Sequence, residues 1–495
     1  MRKAKAQDIG RFRWRAQERS NVPAFHCSNG KRLQGAILHA VLLWAACSPP
    51  VSEQGVESVD LLISGGTILT MDADFTVHDP GFVAVREDRI VAVGPLADVS
   101  GYSAVRTVDA ADTIVLPGLI NGHQHAPMTL FRGLGSDLKL MDWLTEYIFP
   151  AESKNVDRDF VFWGALLSAT EMLESGTTTF VDMYYFEGEV ARATSAAGMR
   201  GILGQTVIGF PAPDYPAPEE TLKGTEQFIV DWKDDPLVTP AVAPHAPYTC
   251  SREVLDACRE LAEKHDVPLI IHLAETRDEV RQVEENTGFR PVAYLNEIGF
   301  LVDRLIAAHV VWVNQQEIRF LEEHGVGVIH NPESNMKLAS GTAPVPLLLE
   351  AGVDVGLGTD GAASNNNLDL LQEADTMAKL HKLVSGDPTV ISAREALVAA
   401  TIGSARALNQ DAELGSLEVG KNADAVVLGL GEASAVPVYD PYALVVYSLH
   451  GSAVETVIVN GRVVVEDGRI TTIDRQELWR QVERLRRKVV RSLED

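Results

Sequence analysis

Histidine and carboxylate side chains recur at the ends of short apolar runs in the middle of the chain. His123 and His125 alternate, so on a strand both imidazoles face one side and could reach one metal ion. His272 ends the run PLIIH, and Asp360 follows the run VGLGT. A buried histidine or aspartate needs a partner, because burying an unpaired charge is costly. Three imidazoles and one carboxylate suit zinc or another divalent first-row metal.

Such a metal would lower the pKa of a bound water towards neutrality and so supply a hydroxide nucleophile. Glu275 could carry a proton to the substrate if the chain turns into a loop after the strand. Glu275 also fits the first turn of a helix, since Thr276 and Asp278 resemble a helix start. His309 could orient the hydroxide, or be a hydrogen-bonded core histidine. Asp360 could bind the metal and accept the proton of water, or be a turn residue.

Short apolar runs alternate with longer amphipathic segments through this middle region. The alternation predicts an α/β fold with a parallel sheet, and the number eight favours a closed, TIM-like (β/α)8 barrel. The predicted strands are Thr113–Leu116, Thr177–Met183, Gly201–Ile208, Val238–Ala243, Pro268–Ile271, Leu305–Ala308, Gly325–Ile329 and Val353–Leu357. The amphipathic segments include Phe160–Ser175, Arg252–His265 and Arg277–Ile298.

Almost every predicted strand is followed by a reactive side chain. In barrel enzymes the active site lies at the carboxyl ends of the strands, so residues distant in sequence would converge there. In strand order these residues are His123 with His125, Asp182, Gln205, His245, His272 with Glu275, His309, His330 with Asn331, and Asp360.

Both ends of the globular region are rich in β-forming residues. A small antiparallel unit is predicted over Val59–Thr70, Gly81–Gly94 and Thr107–Leu116. Short β-rich runs of the same kind occur again near the C-terminus. We therefore expect one small β-sandwich domain built from both termini. The predicted division is a leader at 1–56, the β-sandwich at 57–115 plus 418–470, the barrel at 116–417 and a C-terminal helix at 471–495.

The composition narrows the class of partner. The 495 residues contain 43 Lys and Arg against 69 Asp and Glu, a net charge of −26. Binding to a nucleic acid polymer needs a basic footprint, so we expect a small-molecule substrate instead. Cys250 and Cys258 are too far apart to provide the Pro-Cys-x-x-Cys motif of zinc enzymes that pair it with His-x-Glu.

The first residues differ from the rest of the chain in charge. Residues 1–34 contain nine Lys and Arg but two Asp and Glu, and the apolar stretch Gly35–Ala46 follows. That stretch has the length of a signal-peptide core and is too short for a transmembrane helix. Cys47 follows two alanines, which predicts export and a lipid anchor in a bacterial protein. The alternative is a start site assigned too early, with the protein beginning near residue 51 or 56 in the cytoplasm.

Six motifs in order along the chain resemble the amidohydrolase superfamily. More narrowly, they are similar to 5-methylthioadenosine/S-adenosylhomocysteine deaminases and their triazine-hydrolase relatives. The resemblance extends from about Val59 to Gly468, and the ending GSLEVGKNADAVV is also typical of the superfamily. The motifs are PGLINGHQHAPMTLFRG, HAPYTCS, IHLAE, the pair Ala308-His309, HNPESNMKL and GTDGAASNN.

The resemblance implies a distorted barrel with one divalent metal ion, preferably Zn²⁺, with Fe²⁺ or Mn²⁺ as alternatives. It implies that Glu275 shuttles a proton to a ring nitrogen and that His309 orients the hydroxide. It matches Glu152 to a carboxylate that binds the ribose hydroxyls and His245 to a substrate contact. A homo-oligomer is also expected. The implied metal ligands are His123, His125, His272 and Asp360.

The chain also departs from the family pattern. Family members carry an arginine where this chain has Gln205, and the following loop, Ile208–Pro218, has no arginine either. The absence of these arginines leaves open whether the site binds the tail of the nucleoside, since specificity depends on such polar contacts. A hydrolase of another amino- or chloro-heterocycle, such as a triazine, a pterin or a guanine-like ring, is one alternative. A non-catalytic metal-binding surface protein is the other.

Overall fold

The structure, a computed structural model, describes residues 56–494. The predicted leader, including Cys47, lies outside the described residues. None of the helices in the described part combines the length and apolarity that a bilayer crossing requires. The strands are β1 (Glu57–Ser64), β2 (Thr67–Leu69), β3 (Val77–His78), β4 (Gly81–Arg86), β5 (Arg89–Pro95), β6 (Tyr102–Asp109), β7 (Thr113–Pro117), β8 (Leu119–Gln124), β9 (Thr177–Tyr184), β10 (Arg200–Val207), β11 (Val238–Pro244), β12 (Leu269–Leu273), β13 (Leu305–His309), β14 (Gly327–His330), β15 (Val355–Leu357), β16 (Ala425–Gly429), β17 (Val454–Val459), β18 (Arg462–Glu466) and β19 (Arg469–Ile470).

Helices lie between the strands of the middle region, and one helix ends the described part of the chain. They are α1 (Leu140–Trp143), α2 (Phe149–Asn155), α3 (Arg158–Glu174), α4 (Glu187–Ala197), α5 (Pro218–Trp232), α6 (Arg252–His265), α7 (Arg277–Thr287), α8 (Pro291–Glu297), α9 (Gln315–Glu323), α10 (Pro332–Lys337), α11 (Val345–Ala351), α12 (Leu370–Ser385), α13 (Ala393–Ala399), α14 (Ile402–Ala407), α15 (Pro441–Tyr447) and α16 (Arg475–Glu494). A π-helical turn, Leu144–Ile148, joins α1 to α2.

Eight parallel strands, β8 to β15, form one sheet in sequence order, which confirms the predicted (β/α)8 barrel. The sheet's two ends meet where the backbone N–H of Asp360 donates to the carbonyl of His123 at 3.0 Å. Nearly all residues of these strands are buried, because side chains fill the inside and helices cover the outside. All eight carboxyl ends therefore open onto one face.

The prediction for the first barrel strand was wrong. Thr113–Leu116 belongs to β7, which pairs antiparallel with β16 in another sheet, and the barrel begins with β8. Gly118 makes this change of sheet possible, because a Cβ there would lie 2.0 Å from the Thr178 hydroxyl oxygen. Both strands are fully buried, but β8 is apolar only at Leu119 and Ile120 and then contains Asn121, His123 and Gln124. The apolar pattern therefore indicated the neighbouring β7 instead.

Two further sheets contain the terminal segments. A four-stranded sheet has the order β5-β4-β1-β6, and a seven-stranded sheet has the order β19-β18-β17-β16-β7-β2-β3. They share an apolar core in which Ile63 and Val83 from the N-terminal segment meet Val427 and Ile458 from the C-terminal segment. The N-terminal unit is not purely antiparallel as predicted, because β1 pairs with β6 in parallel. The boundaries of a separate β-sandwich domain remain our proposal.

Helix predictions held where the amphipathic pattern was unbroken. Arg252–His265 is helix α6, and α3 agrees within two residues with the predicted segment 160–175. The predicted helix 277–298 is instead two helices, α7 and α8. Gly288 ends the first with a φ of 81°, and Pro291 begins the second. The C-terminal segment is helical as expected, and its Lys488 ammonium donates to the carbonyl of Asn155 at 2.9 Å.

A buried ion pair joins the barrel to the terminal sheet. Arg200 at the start of β10 contacts both carboxylate oxygens of Asp424, at 3.2 and 3.3 Å. Asp424 also accepts from the backbone N–H of Asn460 at 2.7 Å. The Arg200 and Asp424 side chains are 13% and 5% exposed, so little water could replace a lost partner.

Replacing Arg200 by alanine should lower the free energy of unfolding by about 3 kcal/mol, because the Asp424 carboxylate would stay buried without its cation. Arg304→Ala is the matched control. Its partner Asp266 is 90% exposed, so the loss there should stay below about 1 kcal/mol. Urea denaturation of both variants measures the difference. Equal losses would show that burial does not make the Arg200–Asp424 pair more stabilising than an exposed ion pair.

Candidate active site

A cavity lies at the carboxyl ends of the barrel strands. It collects side chains from several strand ends, and the segment from Leu140 to Glu152 forms one wall. The lining residues are His125, Met128, Leu140, Trp143, Leu144, Ile148, Phe149, Glu152, Met183, Tyr184, Tyr185, Thr206, His245, Tyr248, His272, Glu275, His309, Leu338, Asp360 and Ser364.

Backbone carbonyls fix the tautomers of two histidines. His125 donates from Nδ1 to the carbonyl of Met183 at 2.7 Å, and His272 donates from Nδ1 to the carbonyl of His245 at 2.7 Å. The other ring nitrogen, Nε2, therefore carries a lone pair in each case. These two Nε2 atoms lie 3.2 Å apart. Two lone pairs at this separation require a proton or a cation between them.

His123 and Asp360 complete the same cluster. Both ring nitrogens of His123 are buried without a hydrogen-bond partner. Oδ1 of Asp360 lies 3.5 Å from His123 Nε2 and 3.4 Å from His125 Nε2. Oδ2 of Asp360 accepts from the hydroxyls of Ser334 and Ser364 at 2.7 and 2.8 Å, which holds the carboxylate in this orientation.

This donor set fits a divalent metal ion. Two ligands of a tetrahedral zinc ion, at 2.0–2.1 Å from it, lie about 3.3 Å apart, close to the spacings found here. Burial lowers the pKa of His123 to about 4 and the pKa of His272 well below its usual value, so both rings are neutral and able to bind a cation. Ligand atoms of His123, His125 and Asp360 lie within 4.8 Å of one another, as do those of His123, His272 and His309.

Three residues at the site have left-handed backbone conformations. The φ angles are 53° at Ala274, 74° at His309 and 59° at Asp360. Such angles are unfavourable for residues with a Cβ, and they cluster at functional sites. At Ala274 the bend follows the end of β12, so the chain turns into a loop instead of continuing as a strand. Glu275 consequently lines the cavity beside the histidines.

Glu275 is held from two directions. The Ser340 hydroxyl donates to its Oε1 at 3.0 Å, while its Oε2 lies 4.0 Å from His309 Nε2. The carboxylate of Glu279 accepts the backbone N–H groups of Ala274 and Glu275, both at 2.7 Å, and so fixes the turn. Burial raises the pKa of Glu275. This favours a carboxyl group that holds a proton before it is needed.

Two side-chain amides hold the ring of His309. Its Nδ1 lies 3.0 Å from Asn335 Oδ1 and 3.3 Å from Asn331 Nδ2, so Nε2 faces the cluster. Burial alone would lower the pKa of His309, but the negative charges of Glu275 and Asp360 outweigh burial and raise it. The ring can therefore donate or accept a proton at the position where a nucleophilic water would lie.

Glu152 lies on helix α2, at the same cavity but on a different element. Its side chain is buried, and the Tyr184 hydroxyl donates to its Oε1 at 2.6 Å. Burial raises the pKa of Glu152 to about 7, although the Tyr184 hydrogen bond acts in the opposite direction. His245, at the end of β11, also lines the cavity, with its Nδ1 3.0 Å from the Thr249 hydroxyl.

Four other side chains predicted at strand ends are absent from the lining of this cavity: Asp182, Gln205, His330 and Asn331. Asp182 accepts the backbone N–H of Ala126 at 2.5 Å. Gln205 donates to Asp214 at 2.7 Å and lines a separate cavity beside helix α5. His330 is buried with its Nε2 3.3 Å from the Nε2 of His381. Asp182, Gln205 and His330 are on strand positions that face the helices or the neighbouring strands, which strand counting alone does not reveal.

Sequence reasoning missed several supporting residues. Ser340 and Tyr184 carry no motif of their own, because their role depends on which strand end they face. Glu279 had a detectable signal, since Thr276 caps helix α7 by accepting its backbone N–H at 3.1 Å. A Thr-x-x-Glu pattern before a helix marks such a start.

Comparisons with known proteins agree with this geometry. The amidohydrolase family model matches residues 114–464. A 5-methylthioadenosine/S-adenosylhomocysteine deaminase of Syntrophobacter fumaroxidans is 50% identical over 88% of this chain and 99% of its own. The crystal structure of an adenosine deaminase from Xanthomonas campestris with bound zinc has a TM-score of 0.86 and 38% identity, covering 88% of this chain and 99% of that one. Atrazine chlorohydrolase from Arthrobacter aurescens, complexed with zinc, has a TM-score of 0.80 and 27% identity, covering 86% and 100%. With the motifs, the barrel and the cluster of ligand atoms in agreement, the chain belongs to the amidohydrolase family.

Proposed function

We propose that this protein is a metal-dependent deaminase that hydrolyses the amino group from an adenosine-type nucleoside, such as 5-methylthioadenosine or S-adenosylhomocysteine. The observation that carries the proposal is the placement of a buried carboxyl group, Glu275, beside His309 and the cluster around Asp360 in one cavity. The names of the relatives support the same chemistry. The reaction consumes one water and releases one ammonia.

In this proposal His123, His125, His272 and Asp360 hold one divalent cation, and Zn²⁺ suits the donor set best. When bound, the cation supplies a Lewis acid that makes hydroxide available from water near neutral pH. The zinc present in two similar structures supports this assignment. His309 orients the attacking water through its Nε2, since its Nδ1 is already committed to Asn335.

Glu275 and Asp360 divide the proton transfers between them. Glu275 donates its proton to the ring nitrogen next to the amino-bearing carbon, which makes that carbon more electrophilic. Asp360 accepts the proton that water gives up on attack. Asp360 then passes that proton to the amino group, which leaves as ammonia. Glu275 regains its proton from the added hydroxyl group as the ring carbonyl forms, so the product keeps a hydrogen on its ring nitrogen. Ser340 keeps one oxygen of Glu275 occupied, so the other faces the reaction.

Glu152 is the proposed binding group for the ribose. A carboxylate accepts hydrogen bonds from two adjacent hydroxyls, which matches the 2′ and 3′ diol of a nucleoside. Its orientation is fixed by Tyr184, and His245 contacts the substrate from strand β11. A hydrolase of a bare amino- or chloro-heterocycle would not need Glu152. Because the chain is similar to atrazine chlorohydrolase, the assay described next also tests this alternative.

An ammonia-release assay of purified, metal-loaded protein tests the proposal directly. The panel contains methylthioadenosine, S-adenosylhomocysteine, adenosine, guanine, a pterin and an aminotriazine. We expect turnover of the adenosine-type nucleosides. Turnover confined to bare rings would favour the alternative hydrolase, and no turnover with a bound metal would favour the non-catalytic binding protein.

Two predictions from the sequence belong with this proposal. Export with a lipid anchor at Cys47, and assembly into a homo-oligomer, remain expectations. Labelling of cells with a radioactive fatty acid tests the first, and sedimentation of the purified chain tests the second. Neither result would alter the chemistry assigned to the cavity.

Replacing His272 by alanine should reduce bound metal from about one equivalent per chain to well below it, because one donor of the set is removed. Chelation of the unmodified protein should lower its melting temperature, since a cation that binds the folded state stabilises it. Elemental analysis and thermal melts give both readouts. His324→Ala, at an exposed histidine, is the control and should keep its metal.

Replacing Glu275 by glutamine should reduce kcat by about 10²–10⁴-fold, because the amide cannot deliver a proton to the ring nitrogen. Metal content should stay near one equivalent, since Glu275 is outside the proposed ligand set. Glu284→Gln, on the exposed face of helix α7, serves as the matched control. Wild-type turnover by the Glu275→Gln variant would refute the role assigned to this residue.

The preference for a ribose diol should depend on pH. The pKa of Glu152 is raised to about 7, so the carboxylate form predominates above that pH and the neutral acid below it. The ratio of kcat/KM for adenosine to that for 2′,3′-dideoxyadenosine should therefore fall by about tenfold as the pH drops through 7, the effect of one charge-assisted hydrogen bond. In Glu152→Gln the ratio should be lower and independent of pH. A flat ratio in the unmodified enzyme would contradict the assignment.

A further inference from the structure

We propose that the cavity is selective for nucleosides whose 5′ substituent is uncharged and apolar, and that it discriminates against an amino-acid tail. The preferred substrate class is then a 5′-alkylthio adenosine, with S-adenosylhomocysteine as a poor substrate. This inference rests on the proposed function and refines it. It concerns the part of the cavity next to the ribose, which the metal cluster does not determine.

The position of Glu152 locates the 5′ substituent. A diol bound by Glu152 places C4′ and C5′ within a few bonds of that carboxylate. Ile148 and Phe149 precede Glu152 by one helical turn and line the same cavity, so they form the adjacent wall. Leu144 lies one turn further, in the π-helical segment. A substituent leaving C5′ along this helix meets an apolar surface.

The same stripe continues away from the ribose. Leu140 and Trp143 in helix α1 also line the cavity, and Trp143 is anchored because its indole N–H donates to the carbonyl of Leu134 at 3.0 Å. An alkyl chain longer than methyl could pack along this surface. Burying such a chain is favourable because it removes apolar surface from water. The wall therefore favours longer neutral substituents as well as the methylthio group.

The side chains that line the cavity offer a carboxylate no cationic partner. Glu152, Glu275 and Asp360 contribute carboxyl groups, and among the lining residues of the described chain there is no lysine or arginine. Lys154, on the same helix as Glu152, points elsewhere, since its ammonium donates to the carbonyl of Ser492 at 2.8 Å. A tail carboxylate would lose its water here without gaining a cation.

Two cations lie in a neighbouring surface groove. Lys139 and Arg277 line that groove, which shares Leu140 and Leu338 with the cavity wall. The guanidinium of Arg277 lies 4.1 Å from the centre of the Trp312 ring. The groove is also lined by Ser340, the partner of Glu275, so it adjoins the end of the cavity where the purine is proposed to react. The groove also meets the apolar wall at Leu140, but Asp142 and Asp278 line it together with the two cations. Because two carboxylates match two cations, we expect the groove to exert no net attraction on a tail carboxylate.

Steady-state assays with three substrates test the inference. Methylthioadenosine has a short neutral tail, 5′-butylthioadenosine has a longer neutral tail, and S-adenosylhomocysteine has a tail of similar length with two charges. We expect kcat/KM for the butylthio compound to be at least equal to that for methylthioadenosine. Both values should exceed that for S-adenosylhomocysteine by at least about tenfold, a difference set by polar contacts in the pocket. A comparable value for S-adenosylhomocysteine would overturn the inference. A low value for the butylthio compound would also overturn it, because length and not charge would then decide.

Variants of the apolar wall provide an independent measurement. Leu144→Arg should raise the ratio of kcat/KM for S-adenosylhomocysteine to that for methylthioadenosine by about tenfold, whereas Leu144→Met should leave this ratio unchanged. A ratio within one preparation does not depend on the fraction of folded enzyme. Leu140→Arg is a second variant of the same stripe if the first does not fold. Lys139→Ala and Arg277→Ala should not change the ratio, and a fall in either would show that the tail uses the neighbouring groove.

The outcomes separate this inference from the proposed function. If no adenosine-type nucleoside is deaminated, the proposed function fails and the tail question does not arise. If S-adenosylhomocysteine is deaminated as efficiently as methylthioadenosine, the deaminase assignment stands and the selectivity inference fails.

Discussion

Two imidazole lone pairs that face each other across 3.2 Å are the constraint on which the site depends. Neither ring can turn away, because backbone carbonyls at the ends of β9 and β11 hold the opposite nitrogens of His125 and His272. The barrel supplies those carbonyls in fixed positions, since its strands end on one face. A shared cation would relieve the repulsion between the lone pairs, and the nearby carboxylate of Asp360 would balance its charge.

Burial acts on the titratable groups of the cavity in a way that suits the proposed chemistry. It keeps the ligand histidines neutral and raises the pKa values of Glu152 and Glu275. Neighbouring groups then distinguish the acids, since Asp360 has a pKa well below its usual value despite its burial because His123 and His125 lie beside it. One carboxyl group can thus hold a proton while another is ionised a few ångströms away. The buried, partly apolar lining of the cavity makes this separation possible.

Much of the fold followed from the pattern of residues, and its exceptions have physical reasons. Seven of the eight predicted barrel strands overlap the observed strands, because buried parallel strands form uninterrupted apolar runs. The remaining predicted strand, Thr113–Leu116, lies in the seven-stranded sheet. Its apolar sequence would look the same in the barrel sheet, so the pattern did not show which sheet contains it. Gln205 stood out as a departure from the family, yet it faces Asp214 outside the cavity, so its identity bears less directly on the substrate than expected.

The sequence by itself determined which residue types meet at the strand ends: the paired histidines, His272, His309, Asp360 and the family to which they belong. Only the tertiary structure decided which way each side chain faces. Ser340 donates to Glu275 and Tyr184 donates to Glu152 across large sequence separations, so no local pattern encodes these pairs. The apolar wall beside Glu152 emerges likewise when one helix packs over the mouth of the barrel. The spacing of apolar residues along the chain predicts helices and strands, whereas the distance between two such elements depends on how the whole barrel closes.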